Sequence, residues 1–390
     1  HAKKAIPPRL RNIAQDRSHK YYMDPIVSQF RIGKSVQDPS GHVRPWHRKY
    51  AAALGEPFQT VLEREGNVNA RYLDDDEIRG IAESVVDFQE EFVYEKLEEY
   101  TGKYEDLTVS RQEVMPAAVI PWVHKLETEA DYGAYRTILS ASQERASQSL
   151  RPVLYTSTQK IRDGGNRTEL VEMLADFDVD ECFILFEGLD KHETNESEYK
   201  AVIDFVYDLS SSEIEPYFYY GDFFSNLLSY FGLEGTAYSP LHGEKFTEKT
   251  EPQSSDSGGM RSRYYLDEVK DFLEIPAAVD IMTRIGKPMC SCEACSRHFD
   301  DWRDLAEMDE SEEDGTALQT VMMKHRMKTR WDHTQLVQDN ELSEVLATLR
   351  DDYDEIVGPY SRSQQTASRK EFDYLQQWIH AVDDRQTLVS

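Results

Sequence analysis

Cys182-Phe183-Ile184-Leu185-Phe186 is a run of five apolar residues, and the stretch after it, over residues 197–209, has helical spacing. The same succession appears three more times. Ala117-Ala118-Val119-Ile120 precedes a helical stretch at 131–149, Pro152-Val153-Leu154-Tyr155 precedes one at 167–175, and Pro216-Tyr217-Phe218-Tyr219-Tyr220 precedes one at 223–231. Short apolar strands alternating with helices predict an α/β fold around a parallel sheet, because parallel neighbours need a crossover between them. Right-handed crossovers repeated this often suit a barrel or a doubly wound sheet, and the order of elements does not choose between the two.

Outward from these units the chain changes character. Residues 1–70 carry Pro25, Pro39 and Pro45 among scattered aromatics and predict an irregular N-terminal wrap. From Asp74 onward Ile78, Ile81, Val85, Val86, Phe88, Phe92, Val93 and Leu97 recur at three- and four-residue spacing among acids, the pattern of one long amphipathic helix ending near Gly102. Residues 248–263 are rich in Ser and Gly, including Gly258-Gly259, and predict a mobile loop that could serve as a lid. From Trp302 the chain is charged and helical, with breaks at 309–315 and at Gly358-Pro359.

Hydrophobic residues make up 39% and aromatic residues 11% of the 390, enough for a sizeable core and against disorder. Acids outnumber bases 73 to 44, a balance of −29, and they are spread along the whole chain. At ~1 M salt the Debye length falls to roughly 3 Å and such self-repulsion is mostly screened. The acidity therefore reads as a solvent adaptation, as in the cytoplasm of a salt-loving archaeon. No stretch approaches the ~18 apolar residues that cross a bilayer, and the basic segment 1–11 has no apolar core for secretion, so a cytoplasmic protein is expected, without a membrane partner.

Three of the four cysteines fall within Cys290-Ser291-Cys292-Glu293-Ala294-Cys295. Thiols packed this densely point to a metal site in a reducing compartment and away from a disulfide framework. Cys182 lies inside an apolar run and is expected to be core. Three thiolates on one tight turn suit tetrahedral zinc at ~2.3 Å, with His298, His325 and His333 each available as the fourth ligand. Four protein ligands would leave no open position, so one structural Zn2+ is expected.

With this cluster the sequence resembles the tRNA-guanine transglycosylase superfamily. Its members are zinc-containing (βα)8 barrels with C-x-C-x-x-C and a later helix-borne histidine, and archaeal members often read C-S-C-x-x-C-S, as residues 290–296 do. By that pattern His325 is the better fourth ligand and His333 the second. Residues 155–159, 170–174 and Phe186-Glu187-Gly188-Leu189 are similar to the family's Gln-Gly-Gly and Gly-Gly-Leu segments. Residues 216–221, Leu227-Leu228 and Gly232-Leu233-Glu234 are similar to its strand, helix and Gly-x-Asp segment. The likeness covers about residues 105–350, with only the cysteine cluster specific. It implies a TIM-like barrel core over 105–285 and a zinc-binding subdomain over 286–350. These would come after the segment 1–104, with its irregular start and long helix, and precede acidic C-terminal helices over 351–390.

The resemblance implies exchange or cleavage of an N-glycosidic bond in tRNA or DNA, and a homodimer, since members often pair through the zinc region. Two departures stand out. Thr236-Ala237-Tyr238 occupies the place of the family's aspartate nucleophile, and Ile120-Pro121-Trp122 the place of its second catalytic aspartate. A divergent branch acting on 7-deazaguanine in DNA therefore stands beside the tRNA reading. A non-catalytic nucleic-acid-binding paralogue is the alternative, and a zinc-stabilised protein-interaction module a third.

In a barrel the working residues sit at the C-terminal ends of the strands, which here gives Gln159, Glu187, Asp190, Asp222 and the loop His242-Gly243-Glu244. Glycosidic chemistry needs a carboxylate at the anomeric carbon, a second group for a proton, and donors that read the base. The expected catalytic residues are Glu187 or Asp222 for the sugar and Glu244 for the proton. Gln159 and Gly188 are expected to read the base, and Tyr220 leads a group of tyrosines (Tyr217, Tyr219, Tyr264, Tyr265) able to stack on it. In a chain with 73 acids an acid after a strand also arises by chance, and strand tyrosines commonly pack in a core.

Overall fold

A computed structural model describes residues 20–32, 36–101, 110–238, 246, 262–310, 315–359 and 362–389. Two compact units divide them, one holding 20–160 and 165–185, the other 161–164, 186–238, 246 and the described residues from 262 to 389. The fold is mixed α/β, with one four-stranded parallel sheet in the order β1-β2-β3-β4 and a separate two-stranded antiparallel pair, β5-β6. No helix among the described residues is long and apolar enough to cross a membrane.

In the first unit, helices α1 (Pro45–Leu54) and α2 (Glu56–Glu65) stand where an irregular wrap is expected. Of the prolines read as marks of irregular chain, Pro45 starts a helix, and so does Pro57: both occupy first turns, where an amide N–H has no intrahelical partner to lose. Gly66, in the left-handed conformation at φ 70°, ends α2 by donating its N–H to the Leu62 carbonyl. The long helix α3 (Asp75–Thr101) follows its apolar pattern and buries Ile78, Ile81, Val85 and Val86. Helix α4 (Glu129–Arg145) starts at a capping box of Thr128 and Asp131, and Asp131 also meets the buried His124 at 3.2 Å.

Strand β1 (Val153–Ser157) and the Glu181–Leu185 portion of β2 (Glu181–Glu187) follow the apolar runs. The first expected strand differs. Residues 117–120 make only an isolated parallel bridge, Val119 to Leu150, and no regular strand. Two local causes explain this. Pro121 has no N–H for a ladder, and the buried amide of Gln89 takes both main-chain groups of Ile120, donating to its carbonyl at 2.7 Å and accepting its N–H at 2.9 Å. After β1 come the short helix α5 (Thr158–Ile161) and α6 (Gly164–Ala175). Cys182 is fully buried in β2, where desolvation pushes its thiol up to about 12, consistent with a core residue.

In the second unit, helix α7 (Glu196–Ser211) begins at the capping box of Asn195 and Glu198 and buries Tyr199, Val202, Ile203, Phe205 and Val206. Strand β3 (Glu215–Phe218) pairs in parallel with the two-residue β4 (Gly235–Thr236), Tyr217 opposite Gly235. Between them α8 (Phe223–Leu227) and a 3-10 turn end at Gly232. Strands β5 (Arg263–Leu266) and β6 (Asp271–Glu274) pair from Arg263–Glu274 to Leu266–Asp271 around a 3-10 turn. The chain then runs through α9 (Ile275–Ile285), the one-turn α10 (Glu293–Ser296), α11 (Trp302–Glu310), α12 (Gly315–Asp339), α13 (Leu342–Val357) and α14 (Arg362–Arg385). Helix α14 packs on α7: Trp378 meets Tyr199 and Phe224 edge-on or tilted, and Arg385 grips Asp204 through Nε and Nη2 at 2.6 and 3.2 Å.

Candidate functional site

The cysteine turn is positioned from both sides. Gly286, at φ 71°, caps α9 by donating to the Met282 and Thr283 carbonyls, and Trp302 at the start of α11 donates its indole N–H to the Lys287 carbonyl at 2.9 Å. Cys292 is the N-cap of α10 and its Sγ accepts the Cys295 N–H, while the Cys292 N–H points at Cys290 Sγ, each at 3.4 Å. Main-chain donors aimed at sulfur favour the thiolate form.

His325, buried on α12, completes the group. One ligand atom from each of Cys290, Cys292, Cys295 and His325 lies within 4.8 Å of the others. A tetrahedron with ~2.3 Å arms has edges of about 3.8 Å, so closure on an ion needs a contraction of about 1 Å. His325 Nδ1 faces Cys292 Sγ at 3.5 Å, and Nε2 donates to the Tyr265 carbonyl at 2.8 Å. That second hydrogen bond places a proton on Nε2 and aims Nδ1 at the sulfurs, the usual support of a metal-bound imidazole. The Tyr264 ring stacks on His325 at 4.5 Å, and the Trp302 ring closes on Tyr264 edge-on. Burial opposes a charge on His325, but the Cys290 and Cys292 sulfurs hold its pKa up. The Cys290 thiol is held down first by the Cys295 hydrogen bond and then by His325. Three sulfurs and one imidazole nitrogen make a donor set that fits a thiophilic cation.

Neither other histidine joins the cluster. His298 is exposed on the surface after α10. His333 lies two turns further along α12, where its Nε2 meets Asp267 at 2.5 Å and its ring packs edge-on against Phe223.

The strand-end residues divide between the units. Gln159 is exposed on α5 in the first unit. Glu187, Gly188, Tyr220 and Asp222 belong to the second, and Glu244 lies outside the described residues, as do His242, Gly243 and residues 248–261 of the expected lid. Glu187 closes β2 half-buried, with Gly188 beside it exposed and left-handed at φ 75°. Phe246 gathers two of the candidates: it bridges Glu187, and its ring lies 5.7 Å from that of Tyr220. Asp222, half-buried, precedes α8, and its charge adds to burial in pushing up Tyr199 and Tyr238. Ala237, in the place of the family nucleophile, pairs its N–H with Phe218 and its carbonyl with Gly221. Asp190 accepts the His192 N–H at 3.1 Å, a turn-forming role. Tyr264 and Tyr265 are buried around the cysteine cluster and His333.

Sequence reasoning missed an ionic network behind these strand ends. Asp271 on β6 receives Lys191 at 2.7 Å and His192 at 2.9 Å from the loop after β2. Burial opposes its charge, yet Lys191 and then His192 hold its pKa down to about 2. The fully buried Lys270, left-handed at φ 52°, reaches Asp267 at 2.8 Å and Asp352 on α13 at 3.1 Å. Arg326 and Arg330, buried on α12, lie over Phe272 at 4.0 Å and over Tyr238 and Tyr265 at 4.7 and 5.0 Å. No signal in one sequence distinguishes these charges from the many on the surface.

No family model, no curated protein and no solved structure matches this chain.

Proposed function

We propose that Cys290, Cys292, Cys295 and His325 hold one structural zinc ion in a nucleobase transglycosylase- or glycosylase-like protein acting on tRNA or DNA. The observation that carries this reading is the closed Cys3His ligand set, with Nδ1 of His325 turned to the sulfurs, in a chain whose parallel strand-helix units precede it. Bound there, zinc would cross-link the cysteine turn to α12 and, with four protein ligands, offer substrate no open position. In this reading the parallel sheet belongs to a (βα)8-type barrel, the acidity is an adaptation to a salt-rich cytoplasm, and a homodimer forms as in the superfamily resembled.

Chemistry falls to the strand ends. Glu187 and Asp222 come after successive parallel strands, the edge at which α/β proteins place their ligands. One carboxylate would attack or stabilise the anomeric carbon while Glu244 manages the proton of the departing base, and Tyr220 offers a ring for that base to stack on. The test is incubation with labelled guanine or 7-deazaguanine and tRNA or DNA at high salt. Exchange or base release that Glu187→Gln or Asp222→Asn abolishes supports the reading; no exchange or release from any nucleic acid overturns it.

The second reading is a nucleic-acid-binding paralogue without catalysis. Ala237 in the place of the nucleophile, with its peptide committed to the turn after β3, favours it. It predicts binding that survives both carboxylate substitutions unchanged.

A further inference from the structure

Beside the cysteine turn lies an open groove of about 580 Å³, lined on one side by Glu293, Ala294, Arg297 and His298 and on the other by Ala317, Thr320, Val321, Lys324 and Lys328 of α12. Its lining carries three fixed positive charges, Arg297, Lys324 and Lys328, against the one carboxylate of Glu293. In a chain of net charge −29 that local sign is the reverse of the whole. An acidic surface repels polyanions, so a polyanion can approach only where the sign is inverted. Lys324 has no ion pair among the described residues, whereas Arg297 and Lys328 pair with Glu293 and Asp332 one helical turn away. Exposed pairs of that kind contribute little and exchange readily for another anion.

The same face of α12 continues into two exposed apolar side chains. Met327 is 58% and Trp331 62% exposed, and Trp331 comes seven residues after Lys324 and three after Lys328, on one helical stripe. An indole standing in solvent beside spaced cations suits an unpaired base next to its phosphates; paired bases in a duplex present no free face to stack on. We propose that this groove docks a single-stranded segment of nucleic acid, its phosphates on Arg297, Lys324 and Lys328 and one base on Trp331. The proposal rests on the reading of the chain as a nucleic-acid-acting protein and is independent of whether it catalyses.

The test is fluorescence anisotropy of a labelled oligothymidylate with the full metal-loaded chain over a series of salt concentrations. A hairpin duplex of equal length is the comparison. Lys324→Glu/Lys328→Glu is expected to weaken single-strand binding at least about ten-fold and to lower the slope of log affinity against log salt by about 1.4, two phosphate contacts at ~0.7 each. Trp331→Ala is expected to weaken it about ten-fold with the slope unchanged, and Trp331→Phe to retain most of the binding. The charge-matched control Lys49→Glu/Lys96→Glu, on α1 and α3, is expected to bind as wild type; metal content reports that the unit carrying the groove is folded, and circular dichroism that each whole chain is.

The groove is overturned if the wild type does not bind the oligonucleotide, if the groove variants bind like the control, or if the duplex binds equally well. A dimer in sedimentation that Trp331→Ala dissociates, with binding unaffected, likewise overturns it in favour of a second copy of the chain. Base exchange by the same proteins separates the two readings. An exchanging enzyme with indifferent groove variants loses only the groove, and a binding groove without exchange loses only the enzyme.

Discussion

His325 Nε2 sits 2.8 Å from the main-chain carbonyl of Tyr265, so the β5–β6 hairpin orients the imidazole that α12 delivers to the cysteine turn. A backbone acceptor cannot be removed by a side-chain change. The orientation of the ring is therefore built into the pairing of the hairpin.

Elemental analysis is expected to find one zinc per chain. His325→Ala should lose most of the metal and lower the melting temperature, and a chelator should then have no further effect, whereas it should destabilise the wild type to a similar extent. His298→Ala and His333→Ala should retain the metal. Full metal content in His325→Ala would remove that residue from the ligand set.

Gln89→Leu is expected to destabilise the first unit by roughly 2–4 kcal/mol, because it strands the buried N–H and carbonyl of Ile120 together. Urea unfolding followed by the fluorescence of the buried Trp122 would report it. A change below about 0.5 kcal/mol would mean that water or a shifted main chain replaces the amide.

Much of this architecture is legible in the apolar runs. Strands β1, β2 and β3 and helices α3, α4, α6 and α7 lie where runs and spacing predict them, because burial selects apolar residues at those positions. Legibility fails where a single side chain decides the outcome. Gln89 captures Ile120 across 31 positions, and Pro45 and Pro57 start helices in a region that looks irregular. The break between α12 and α13 at Asn340 has no glycine or proline to announce it. At the candidate metal site the three cysteines announce themselves, while the choice of His325 over two nearby histidines depends on which face of α12 meets the turn.

Acid is expected to destabilise the second unit through His333. Burial holds its imidazole neutral and pushes its pKa down to about 4, overcoming the attraction of Asp267. An unfolded chain takes up that proton below about pH 6.5, while the folded one does so only near 4. The corresponding stability, up to roughly 3 kcal/mol, is present above about pH 6.5 and is lost as the pH falls to about 4. His333→Gln, which keeps an N–H for Asp267 without titrating, should flatten the melting temperature across that window; an unchanged profile would assign the acid sensitivity elsewhere.

Gly221→Ala is expected to disturb the strand end that carries Asp222. A Cβ on Gly221 would overlap the Thr236 methyl and the Ser225 hydroxyl, forcing β4 or α8 away at a cost of roughly 1–3 kcal/mol. Thermal melting would read the loss, and any base-exchange activity should fall with it. A variant as stable and as active as wild type would show that the close approach is relaxed in solution.

The grip of Arg385 on Asp204 spans 181 positions of sequence. At ribosomal rates of about 5–20 residues per second, α7 emerges about 10–35 s before the partner that covers Tyr199 and Phe224. During that interval Phe205 already meets Phe186 and Tyr199 meets Phe224, while the side that Trp378 covers stays open, so the second unit completes its core only after α14 has been made. A chain interrupted before Arg362 would leave that side to chaperones or to aggregation, so α14 closes the cover over α7 late in synthesis.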